Sequence, residues 1–150
     1  MNRMHRIIKL RFDGVILSKK NRHIISRNGG IIVDNKAQAN EDDMVQQFVT
    51  QLRKQGINDA FFMTTTQKLE LANKRHERYA IRFDIWRANN IRRDLDNQVT
   101  TLLDALTKAF AIADDSHKYL KQIVATDKGI DRQNPRAEIE INVFADKGGE

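Results

Sequence analysis

The chain has 150 residues, 40% hydrophobic and 31% charged, a balance that fits one globular domain and excludes a disordered polyelectrolyte. It has no cysteine, which removes disulfides, thiolate zinc sites and thiol nucleophiles together. The formal charge of +6 favours polyanionic partners, because lysine and arginine release counterions when they neutralise phosphates.

In chain order, "IIKLRFDG" alternates Ile8, Leu10 and Phe12 against Lys9 and Arg11, the period of a half-buried strand. The N-terminal stretch is basic but holds no apolar signal core, and no window reaches the ~20 apolar residues of a membrane span. A cytoplasmic protein that does not enter membranes is the expectation. The next segment, "VILSKKNRHIISRNGG", is basic and ends in a turn signal. It is either a loop or a loop leading into a short hairpin with "IIVD".

From Asn40 the pattern becomes helical, with Asn40 as N-cap, acids at 41–43 and Gly56 just past the end. Met44, Val45, Phe48 and Leu52 share one face. Residues 57–76 read as a short helix or strand end and a loop. Phe61 and Phe62 are expected to pack in the core. "RYAIRFDIWR" is the cleanest strand, with Tyr79, Ile81, Phe83 and Ile85 on one side.

A second helix follows through Val99, Leu102, Leu103, Leu106 and Phe110. "KYLKQIVATD" and "RAEIEINVF" then read as two strands joined by a loop that holds Lys128-Gly129 and Pro135. Helices do not alternate regularly with strands. The expected fold is therefore one α+β domain over 1–150, with a mixed or antiparallel sheet and two main helices packed on it.

The chemistry concentrates in "RRDLDN", Arg92 to Asn97. Asp94 sits at a helix start, where a carboxylate caps backbone N–H groups. Asp96 gains only a weak dipole interaction there. Close carboxylates repel, and a divalent cation between them relieves the repulsion. Mg²⁺ suits such a pair, since it takes oxygen ligands and keeps several waters. Arg92 and Arg93 then supply phosphate contacts. The helix cap and the metal pair both remain open on these residues alone.

Three blocks in order resemble the RusA-like Holliday junction resolvases, small endonucleases of phages and prophages that act in DNA recombination and repair. They are Arg93-Asp94-Leu95-Asp96-Asn97, Asp104-Ala105-Leu106-Thr107-Lys108-Ala109 and Asp114-Asp115. The basic loop at Ser18–Arg22 and the "AEIEI" strand extend the likeness. The resemblance implies a Mg²⁺-dependent homodimer that binds four-way DNA junctions and nicks two strands symmetrically. It carries the catalytic and metal-binding acids to Asp94, Asp96 and Asp115. Lys19, Lys20 and Arg22 would line DNA beside Arg92 and Arg93, with a plain basic loop as the alternative for the first three.

Two features depart from the family pattern. Thr100 stands where the family carries a lysine, and either Lys108, Arg93 or a residue of the basic loop substitutes for it, or activity is reduced. The basic loop lacks the usual prolines. Two other functions stay open: a junction-binding protein with weakened catalysis, and a dimeric interaction module.

A helix spanning most of the interval from Asp96 to Asp115 would separate its ends by ~20–25 Å at ~1.5 Å per residue. Either the chain folds back after a shorter helix, or Asp115 completes a site with Asp94 and Asp96 of the other subunit. The four histidines show no metal-ligand spacing. His117, two residues after Asp115, is the one that could serve as a proton shuttle. Trp86, like Phe61 and Phe62, is expected to pack in the core, with a wedge into the junction centre as the alternative.

Overall fold

In the computed structural model, residues 5–18, 23–25, 31–33, 35–91 and 93–146 are described. β1 (His5–Asp13) alternates as its sequence requires, with Ile8, Leu10 and Phe12 buried. After it, β2 (His23–Ile25) and β3 (Ile31–Val33) pair antiparallel, so the basic segment does lead into a short hairpin.

α1 (Asn35–Lys54) begins earlier than the Asn40 cap expected from sequence. Asn40 has a different task. Its side chain accepts from Leu17 N at 2.9 Å and donates to Val15 O at 2.7 Å, tying the start of the basic loop to α1. Ala37, Glu41, Met44, Phe48 and Leu52 form the buried face. Each large apolar side chain among them contributes about 1.5–3 kcal/mol on full burial. Gly56 ends the turn with φ 80°, while Ile57 N bonds back to Leu52 O at 2.9 Å.

The poorly legible interval holds two helices, α2 (Asp59–Phe62) and α3 (Thr65–Lys74). α3 starts in a capping box: Gln67 N donates to Thr64 Oγ1 and Thr64 N to Gln67 Oε1. Phe61 and Phe62 do not join the core. They are 54% and 80% exposed, and none of the four residues of α2 is buried.

β4 (Glu77–Arg87) is followed by α4 (Leu95–Lys108), β5 (Leu120–Ile130) and β6 (Arg136–Ala145). Lys128-Gly129 belongs to β5 rather than to a loop, opposite Trp86 across a register irregularity. The sheet order is β1-β6-β4-β5, with β4 and β5 parallel and the other pairs antiparallel. This is a mixed-sheet α+β fold. α1 and α4 cover the face that carries Ile81, Phe83, Ile139 and Ile141, and β1, α1, α3, β4, α4 and β6 contribute to one core. No helix among the described residues is long and apolar enough to cross a membrane.

Candidate active site

β4 runs from one end of the sheet to the other, and the acids are divided between those ends. At its C-terminal end, Arg87 donates to Asn89 O at 3.2 Å, and Ile91 N donates to Asn89 Oδ1 at 3.0 Å. This turn delivers Arg93 and Asp94 to the start of α4. Asp94 is the N-cap residue with extended φ/ψ, and its carbonyl accepts from Gln98 N. Its side chain makes no capping hydrogen bond, so the cap reading does not describe its carboxylate. Asp96 lies in the first turn and is exposed, whereas Gln98, Val99 and Leu102 turn inward.

One turn beyond Asp96, Thr100 is exposed and its hydroxyl donates to Asp96 O at 2.9 Å. The position where the resemblance expects a lysine therefore carries a group turned back onto the helix. Arg93 is half-buried in a crevice with Gly14, Ile16, Trp86 and Gln98. Gly14 closes β1 at this end: its N–H bonds Pro135 O at 2.9 Å, and its φ of 143° disfavours any side chain. Arg92, Lys19, Lys20 and Arg22 lie outside the described residues. The described chain reaches Ser18 at this same end of the sheet.

Asp115 belongs to the opposite end. After Lys108 the helix stops with Phe110 at φ 63°, and Ala111 N bonds back to Leu106 O at 3.0 Å. Ala111, Ile112 and Ala113 are buried. Ala113 N donates to Tyr79 Oη at 3.0 Å, and Tyr79 Oη donates to Glu77 Oε1 at 2.7 Å. Burial, and then the Glu77 carboxylate, hold the Tyr79 phenol well above the ordinary tyrosine range. Tyr79 N also bonds Tyr119 O at 2.8 Å, pinning the far side of the turn. Asp114 accepts from Ser116 N at 3.4 Å, while Asp115 and His117 face solvent.

The separation follows from the elements themselves. α4 is one helix of 14 residues, about 21 Å long. β4 has 11 residues and spans about 35 Å. Within one chain, Asp115 is not brought to Asp94 and Asp96. Among the described residues no three histidines or acids gather to hold a metal. Asp94 and Asp96 alone offer hard oxygen donors in solvent beside Arg93, a set that suits Mg²⁺ with most of its waters retained.

Lys108 is at the Asp115 end, and its ammonium is held on the buried carboxylate of Glu41. It cannot stand in for a lysine beside Asp96 of its own chain. Tyr79 organises the Asp115 end and Glu41 holds the Lys108 ammonium, and sequence reasoning assigned neither. The helical spacing of Glu41 with Met44 and Phe48 was the available signal for its burial.

The outer face of the sheet is charged but largely self-neutralised. Arg82 pairs with Glu140 at 2.8 Å and Arg136 with Glu138 at 3.0 Å. Trp86 is not a core residue: it lies on this face, half-buried, under the Arg136 guanidinium at 3.8 Å. The odd-numbered side chains of β4 fill the core, so the even position 86 points away from it.

The family model described as Endodeoxyribonuclease RusA matches residues 13–142 of the 150-residue chain. That interval includes the basic segment, both acidic ends and the helix between them. No curated protein matches the chain.

Proposed function

Because the chain belongs to the RusA endodeoxyribonuclease family, we propose that it is a Mg²⁺-dependent Holliday junction resolvase. Residues 1–150 act as a single domain, in the cytoplasm, and a homodimer makes paired symmetric nicks in four-way DNA. The observation that carries this reading is the placement of the acids at opposite ends of the β4-α4-β5 unit. A two-fold dimer that sets these ends side by side gathers Asp94 and Asp96 of one subunit with Asp115 of the other, twice. Two equivalent sites are what paired nicking needs.

In each site Asp94, Asp96 and Asp115 would hold the cation and orient the attacking water. When bound, such an ion supplies positive charge against the scissile phosphate and lowers the pKa of a water. Arg93, with Arg92, holds flanking phosphates, and Lys19, Lys20 and Arg22 extend that contact along a DNA arm. Lys108 stays on Glu41 and meets DNA only through the part of its side chain left exposed.

A labelled four-way junction and a matched linear duplex, each with and without Mg²⁺, test the activity. Paired nicks confined to the junction and to Mg²⁺ are the expected result. Tight, salt-sensitive junction binding without nicks would mean a binding protein. Neither activity would leave an interaction module. Mixing inactive Asp94→Asn and Asp115→Asn proteins tests the shared site, since heterodimers would regain one intact site. No recovery after verified subunit exchange would refute it.

A further inference from the structure

The sheet has two edges, and the chain treats them differently. From Lys9 to Asp13 the outer edge of β1 is covered by glutamines of α1 and of the turn after it, spaced one turn apart. Gln51 accepts from Arg11 N at 2.7 Å and donates to Arg11 O at 2.6 Å. Gln47 does the same for Asp13 N and O, and Gln55 donates to Lys9 O at 2.8 Å. These amides take the place of a neighbouring strand.

β5 forms the other edge. Among the described strands it pairs only with β4, so one side of its backbone faces outward. Ile123, Val124 and Ile130 are 44%, 46% and 39% exposed, which puts apolar side chains on both faces of this edge. A long unpaired edge with an apolar centre, here Ile123 to Ala125, is a template for another strand.

We propose that β5 pairs antiparallel with β5 of a second copy of this chain, about a two-fold axis through Val124. The inference rests on the shared acid site and names the surface that builds it. A two-fold axis perpendicular to the sheet keeps each face on its own side. Residues must then meet across it with matching alternation. Gln122–Asp127 is the regular run of β5, bounded by register irregularities at both ends. Centred on Val124, the pairing sets Val124 against itself, Ile123 against Ala125 and Gln122 against Thr126.

It also sets Lys121 against Asp127, twice. The Gly129 amide and Arg87 hold the Asp127 carboxyl below its usual range, so it meets Lys121 as an anion. Lys121 already donates to His117 O at 2.9 Å and has further donors to give. Centring on Ala125 instead would face Ile123 with Asp127 and lose the charge pair.

The same register places the acids. Ile130 pairs with Arg87 at the Asp94 end of its own chain. In the dimer it lies opposite Lys118 of the second copy, three residues along the chain from Asp115. Each Asp115 thus arrives at the sheet end where the other copy carries Asp94 and Asp96. Among the described strands β5 is the edge of the four-stranded sheet left open along its length, and a two-fold pairing through it closes on two copies.

The absence of cysteine makes the register directly testable. Val124→Cys puts a thiol on the axis, with Cα atoms about 4.5–5.5 Å apart across an antiparallel pair. A disulfide spans about 4.4–6.8 Å. Thr126→Cys alone is offset from its own mate by about 13 Å along the strand, but combined with Gln122→Cys it has a partner directly opposite.

On mild oxidation, V124C and the Q122C/T126C protein should run as covalent dimers, and T126C should stay at background. Sedimentation and junction nicking are measured on the same preparations. A dimer that nicks, with V124C uncrosslinked, overturns β5 as the seam and leaves the shared site standing. A monomer that nicks overturns both.

Discussion

Gln51→Ala probes the closed edge of β1. The substitution removes both hydrogen bonds to the Arg11 backbone, the shortest of the glutamine set. A net contribution of about 0.5–1.5 kcal/mol per bond gives about 1–3 kcal/mol. Arg11 is only half-buried, so water recovers part of this and the lower half of the range is expected. For a chain of this length that corresponds to a Tm lower by roughly 3–6 °C. Gln46→Ala is the control: it lies on the same helix, is exposed, and gains the same helix propensity from alanine. Urea unfolding of both, at one protein concentration, isolates the edge contacts from any dimer linkage. Equal midpoints for the two variants would refute the strand-mimic reading of Gln51.

Tyr79→Phe leaves the buried Glu77 carboxylate and the Ala113 amide without their shared hydroxyl, and should cost about 1–3 kcal/mol in denaturant unfolding. The wild type should also lose stability as pH rises above about 10, because the unfolded tyrosine gives up its proton there while folded Tyr79 keeps it. The part of that alkaline slope due to this residue should be missing from Tyr79→Phe. Thr100→Lys restores a cation one turn after Asp96 on an exposed helix face. It should raise single-turnover junction nicking by roughly tenfold or more. An unchanged rate, with junction binding intact, would show that this position does not reach the scissile phosphate.

Strands and amphipathic helices were legible wherever one face alone is buried. β1, β4 and β6 alternate because each presents one side to α1 and α4, and the periodicity records that directly. The start of α1 was not legible. Asn40 is as good a cap as any asparagine, and only the nearby Val15–Leu17 backbone shows its amide to be engaged elsewhere. Phe61 and Phe62 look like core residues by type, yet exposure depends on what packs over a short helix. Trp86 obeys the alternation of β4, which set it outside the core despite its apolar ring.

The acid motif shows the same division. Spacing along the chain determined the residue types, their order and the family, because those are properties of one dimension. Where the carboxylates lie depends on α4 being one uninterrupted helix and on β5 running parallel to β4, which together send Asp115 to the far end of the sheet. Which sheet edge stays open was decided by glutamine amides meeting a strand that is distant in sequence. The glutamines recur one turn apart along the sequence, but that spacing does not say which backbone their amides meet, so the closed edge emerges only when the chain has folded.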